Sequence, residues 1–163
     1  MKSLLLTFLF GLFVLTAFAQ DKSTTDFKFP ERIGYVNDFE GIFTPEQVKS
    51  LEEMVVKHEK ETTNEIAVVT ISSFQPYATL FDYSFALGNH WGVGKMDKKN
   101  GIVIVMGKQI RQIRIQVGYG LENKLKDDEA KRIIDNTIIP EFKKGDYYAG
   151  LEKGIAEIIK EIK

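Results

Sequence analysis

Apolar residues recur along this chain with two different periods, and their succession marks out an α/β domain. Thr44-Pro45-Glu46-Gln47 reads as a capping box, with the Thr44 hydroxyl placed to accept from the Gln47 amide. Pro45 falls at the first helical position, where its missing N–H costs nothing. Val48, Leu51, Val55 and His58 follow at helical spacing and predict a helix to about Glu61. Glu65 to Ile71 is rich in Ile and Val and predicts a strand. A second helix is expected from about Thr79 to Trp91, with Leu80, Tyr83, Leu87 and Trp91 along one stripe. Ile102 to Met106 is apolar without a break, as in a central strand buried on both faces. From Arg111 to Val117 the period is two: Ile113, Ile115 and Val117 alternate with Gln112, Arg114 and Gln116. That pattern predicts a strand with one solvated face near a sheet edge, joined to the central strand as an antiparallel hairpin. Two further helices are expected, one from about Asp128 to Ile138 and stopped by Pro140, the other capped by Asp146. The last carries Leu151, Ile155, Ile158 and Ile162 on one face. Helices between and after strands predict a three-layer α/β/α sandwich on a small mixed β-sheet, with helices on both faces.

The start of the chain follows another pattern. Lys2 precedes an uncharged run from Leu4 to Ala19 that ends in Ala17-Phe18-Ala19. A short basic start, a long apolar stretch and small residues before a cleavage point predict a signal peptide over residues 1–19. Residues 20–32 are polar and are expected to form a loose leader, with the folded domain over 33–163. No later stretch of about 18 apolar residues exists, so the mature chain is expected to be soluble, without a transmembrane segment. Its expected location is the periplasm or the exterior.

Composition narrows the chemistry. The 163 residues include no cysteine and carry a formal charge of −1. A disulfide scaffold, a zinc–cysteine site, an iron–sulfur cluster and a cysteine nucleophile are excluded. The near-neutral balance argues against nucleic acid as a partner. Of the two histidines, His58 lies on a helical apolar stripe and His90 beside Trp91, positions that suit packing or the surface better than metal binding. There is no Gly-x-Ser-x-Gly elbow. Gly88 to Met96 has one residue too many for a phosphate loop and lacks its Ser or Thr.

Two glycine-flanked loops remain: Gly92 to Gly101, entering the central strand, and Gly118 to Glu122, leaving its hairpin partner. In an antiparallel pair these ends lie at one edge of the sheet, so the loops are expected to be neighbours. Together they offer Asp97, the Asn100 amide oxygen and Glu122, with Asp127 and Asp128 just beyond. Hard oxygen donors on flexible loops suit Ca²⁺ or Mg²⁺, and the shortage of histidine and thiol disfavours softer metals. The same residues also read as an ordinary polar turn, a tight bend and a helix start.

In order and spacing, Val36-Asn37-Asp38 with Gly41-Ile42, Trp91-Gly92-Val93-Gly94-Lys95, Asn100-Gly101-Ile102-Val103-Ile104, Val117-Gly118-Tyr119-Gly120-Leu121-Glu122, Pro140-x-Phe142 and Gly145-Asp146-Tyr147 resemble the TPM domain. The match covers about Ile33 to Lys163. The resemblance implies an extracytoplasmic domain with a Rossmann-like α/β/α fold, often found in bacterial envelope proteins. A plant relative in the thylakoid lumen is linked to photosystem II repair and to acid phosphatase activity, and an animal relative accompanies a neurotransmitter receptor. Divalent metal binding, Ca²⁺ in particular, is associated with the fold. Asp38, Asn100 and Glu122 fall on motif positions, which makes Asp38 a candidate metal residue. If the first helix packs antiparallel to the strand after it, however, Asp38 lies near the opposite edge from Glu122 and could organise the turn before Thr44 instead.

Two functions are therefore set against each other. One is an exported accessory module that binds Ca²⁺ or Mg²⁺ and engages an envelope membrane protein. The other is a metal-dependent acid phosphatase acting on phosphomonoesters. The second is the weaker on chemistry, because no nucleophile motif and no phosphate-clamping arginine is evident.

Overall fold

A computed structural model describes residues 27–163; the export signal expected over 1–19 lies outside the described residues. The chain runs β1 (Val36–Asp38), α1 (Pro45–Thr62), β2 (Glu65–Thr70), α2 (Leu80–Trp91), β3 (Gly101–Gly107) and β4 (Gln112–Val117). A 3₁₀ turn (Tyr119–Leu121) leads to α3 (Asp127–Ile133), a π-helical segment (Ile134–Ile138), α4 (Ile139–Lys143) and α5 (Tyr147–Ile162). The four strands lie in chain order, β1 to β3 parallel and β4 antiparallel to β3.

The start signals read from sequence act as expected. Thr44 Oγ1 accepts from Gln47 N at 3.3 Å while Gln47 Oε1 accepts from Thr44 N at 2.9 Å. Thr79 caps α2 and Asp146 caps α5, the latter accepting from Ala149 N at 2.9 Å. The buried faces of β2 and β3 divide the core between two layers. Ile66, Val68, Ile102 and Ile104 pack with Leu51 and Val55 of α1 and with Leu151, Ile155 and Ile158 of α5. Val69, Val103 and Val105 pack with Leu80, Tyr83 and Leu87 of α2 on the other face. The result is an α/β/α sandwich. Since α1 and α2 cover opposite faces while both connections step the same way between adjacent parallel strands, the two crossovers have opposite hand. One of them therefore departs from the right-handed rule.

Several details differ from the pattern-based expectation. Val36–Asp38 adds an edge strand that three residues cannot announce by period; its register with Val68–Thr70 defines it. Pro140 does not stop the helix before it. The chain stays helical to Lys143 because Ile139 N–H reaches back five residues to Ile134 O, and the widened π turn admits a proline that lacks an N–H. The polar face of β4 is also not simply solvated: α2 lies over it, and the Arg114 guanidinium is 4.3 Å from the centre of the Phe81 ring. Residues 27–32, the end of the expected loose leader, have no regular structure but are packed. Phe29 stacks on Tyr77 at 5.6 Å and Trp91 Nε1 donates to Pro30 O at 2.9 Å.

Candidate functional site

The two glycine-flanked loops meet, as their attachment to one antiparallel pair requires. Gly118 N donates to Gly101 O at 2.7 Å and Gly120 N to Lys99 O at 3.0 Å. The contact is close enough that a Cβ on Gly120 would lie 1.9 Å from the Lys98 carbonyl oxygen. Gly94, at φ +90°, is also tight against the backbone of Gly101, where a Cβ would lie 2.4 Å from Gly101 N.

Asn100 organises this edge. It is 4% exposed. Its Oδ1 accepts from Lys95 N at 2.9 Å, and its Nδ2 donates to Thr63 O at 2.8 Å and Asn64 Oδ1 at 3.1 Å. Thr63 occupies the left-handed region at φ +68° as the C-cap of α1, which turns its carbonyl toward Asn100. Asn64 Nδ2 then donates to Ile162 O at 3.1 Å, tying the loops to the end of α5. Glu65, 7% exposed, accepts from Gly94 N at 2.8 Å and pairs with Arg32 at 2.6 Å. Thr63, Asn64 and Glu65 were not among the residues singled out from sequence. The one available signal was a carboxylate opening an otherwise apolar strand.

The carboxylates predicted to gather a metal do not come together as a group of three among the described residues. Asp97 and Glu122 are exposed on the two loops, and Asp127 is exposed at the first position of α3. Asn100 is engaged with the protein through both polar side-chain atoms. Asp38 lies at the other end of the strands, where Oδ1 accepts from Thr70 Oγ1 at 2.6 Å and Oδ2 from Phe43 N at 2.8 Å. It organises the turn before Thr44. Among the described residues no group of three His, Cys, Asp or Glu side chains is placed to hold a metal ion. The donor set as arranged therefore does not fit a preformed Ca²⁺ or Mg²⁺ site. Nor is the edge an acidic cluster, since Lys98 Nζ donates to Thr63 Oγ1 at 3.0 Å and Lys95 pairs with Glu59 at 3.5 Å.

Beside these lysines, a groove of about 350 Å³ is lined by Tyr35, Val56, Glu59, Lys60, Thr63 and Lys95. The Tyr35 hydroxyl donates to Glu59, and that bond with partial burial pushes the phenol up to about 12. Tyr35 is therefore a protonated donor at neutral pH and no base. The solvent side of the edge is different in character: Tyr119 is 76% exposed and Met96 94% exposed.

A mixed four-stranded α/β/α domain with a glycine-locked loop edge is the class that the geometry defines. The family model described as the TPM domain matches residues 36–161, and the chain belongs to that family. Among solved structures, the N-terminal domain of a protein from P. gingivalis is 32% identical, with a TM-score of 0.70 over 78% of this chain and 80% of that one. The BA42 protein of Bizionia argentinensis shares the fold at 22% identity and a TM-score of 0.65, over 76% of this chain and 83% of its own. So does the N-terminal domain of the cg2496 protein of Corynebacterium glutamicum, at 17% identity and a TM-score of 0.63, over 83% and 85%. No curated protein matches the chain.

Proposed function

We propose that this chain is an exported TPM-domain binding module that engages an envelope protein through its loop edge. The observation that carries the reading is a rigid frame displaying an exposed aromatic residue and an exposed methionine. Backbone bonds between Lys99–Gly101 and Gly118–Gly120, with Asn100 beneath, hold Tyr119 and Met96 outward. Tyr and Met are enriched where surfaces recognise other proteins, and a preorganised loop lowers the entropy cost of docking. Export rests on Lys2 and the apolar run from Leu4 to Ala19. A divalent cation, Ca²⁺ or Mg²⁺, enters this reading only at Asp97 and Glu122, the exposed carboxylates of the two loops.

A photocrosslinking amino acid at position 119 in cells of the source organism tests the module directly. A discrete adduct is expected from position 119 and none from exposed position 160 on α5; equal labelling from both overturns the loop edge as the docking surface. In parallel, Ca²⁺ is titrated into the labelled protein by NMR. Saturable shifts at residues 97–100 and 118–122, lost in Asp97→Asn with Glu122→Gln, support the cation, and their absence removes it. Chelator-sensitive turnover of p-nitrophenyl phosphate would replace the module with the acid phosphatase alternative.

A further inference from the structure

Away from the loop edge, β4 ends the sheet, and the start of this strand floors a groove of about 440 Å³. Arg111, Ile113 and Arg114 form the floor, Phe81 of α2 one wall, and Ile134 and Ile139 of the π segment and α4 the other. Among the described residues the outer backbone edge here is unpaired. Because Gly118 N bonds Gly101 O, the ladder alternates so that Gln116, Arg114 and Gln112 exchange bonds with Val103, Val105 and Gly107. The N–H and C=O of Ile113 therefore point away from β3, and no other backbone group among the described residues takes them. The opposite sheet edge is blocked: Glu52 of α1 accepts from Tyr35 N at 3.0 Å and from Val36 N at 3.2 Å.

Apolar surface and positive charge adjoin this open edge. Phe81 and Phe85 stack with ring centres 6.4 Å apart, and they are 48% and 55% exposed. Arg114 lies over Phe81 and donates to Gln116 Oε1 at 3.1 Å, with Asp127 the carboxylate acting on it, while Arg111 has no ion pair among the described residues. The carboxylate in the groove, Asp135, is bridged to Lys131. One wall is a π segment, a distortion found frequently at functional sites.

We propose that this groove binds an extended peptide segment of another protein, which pairs with Ile113 as a short added strand and presents a carboxylate beside an apolar residue. Two guanidinium groups, neither in an ion pair among the described residues and only Arg114 under the influence of a carboxylate, the exposed Asp127, select an acidic segment. Main-chain bonds to an open edge give affinity, and the flanking apolar walls receive alternate side chains. A second copy of this chain is a poor occupant, because its own β4 lies between two walls that would meet these.

The test is an NMR titration of the labelled protein with the blocked pentapeptide acetyl-Val-Asp-Val-Asp-Val-amide and with its Val-Asn counterpart. Saturable shifts are expected at residues 111–114, at Phe81 and across Ile134–Ile139, at concentrations on the order of 1 mM for so short a segment. The asparagine peptide is expected to bind about three- to fivefold more weakly, a difference abolished in Arg111→Gln with Arg114→Gln. Arg111→Gln alone, on an exposed turn, halves the effect if the double variant loses its dispersed spectrum. No shifts in the groove up to about 10 mM, or equal binding of the two peptides, overturns the proposal. Concentration-dependent shifts at the same residues without peptide overturn it in favour of self-association.

Discussion

The two ends of the parallel strands are held by opposite means. At the loop edge the organiser is a neutral amide, Asn100, which uses donor and acceptor at once and is backed by glycines that let two loops touch. At the other end it is a carboxylate, Asp38, which only accepts, gathering the Thr70 hydroxyl and the Phe43 amide. The first arrangement is buried and specific to one shape. The second is half-buried and calls only for donors around it. Both residues belong to the sequence signature that suggested metal ligands, yet each is occupied in holding a loop in place.

The sharpest way to break that contrast is Asn100→Ala. It strands Asn64 Oδ1 at a buried position and Lys95 N and Thr63 O at partly buried ones, and a loss of about 3 kcal/mol in urea unfolding is expected. Asp38→Asn keeps one acceptor, and a smaller loss of about 1 kcal/mol is expected. If the two variants proved equally destabilising, the distinction between the ends would fail.

A pH scan of stability gives a subtler effect, on the helix that feeds the loop edge. His58 of α1 is 2% exposed; burial holds its imidazole below the ordinary value, and its Nδ1 has no hydrogen-bond partner among the described residues. The unfolded chain therefore takes up this proton first as pH falls through about 6.5. Stability is expected to be full above that pH and to decline below it, with the decline shallower in His58→Gln. Identical slopes in the two proteins would assign the acid sensitivity to other groups.

Much of the fold was legible because local signals and long-range packing agree. The capping box at Thr44, the stripe of α5 and the unbroken apolar run of β3 each state a burial pattern that the tertiary structure then uses. The meeting of the two loops was also legible, since an antiparallel hairpin places one strand's start beside the other's end. β1 was not, because three residues have no period, and Pro140 misled because a π turn relaxes the rule that proline ends a helix.

The amino-acid sequence by itself determined the α/β class, the helix starts, the antiparallel hairpin and the family. Only the tertiary structure decided the face on which each helix lies, and with it the opposite hands of the two crossovers. It also decided which polar side chains are free to act. Donor type is written in the sequence, but groups 30 or more residues away fix how those donors are used: the Thr63 carbonyl holds the Asn100 amide nitrogen, and the Thr70 hydroxyl occupies one Asp38 oxygen. Satisfying buried backbone N–H and C=O groups takes precedence over any ligand, and that demand is set by how the chain closes on itself.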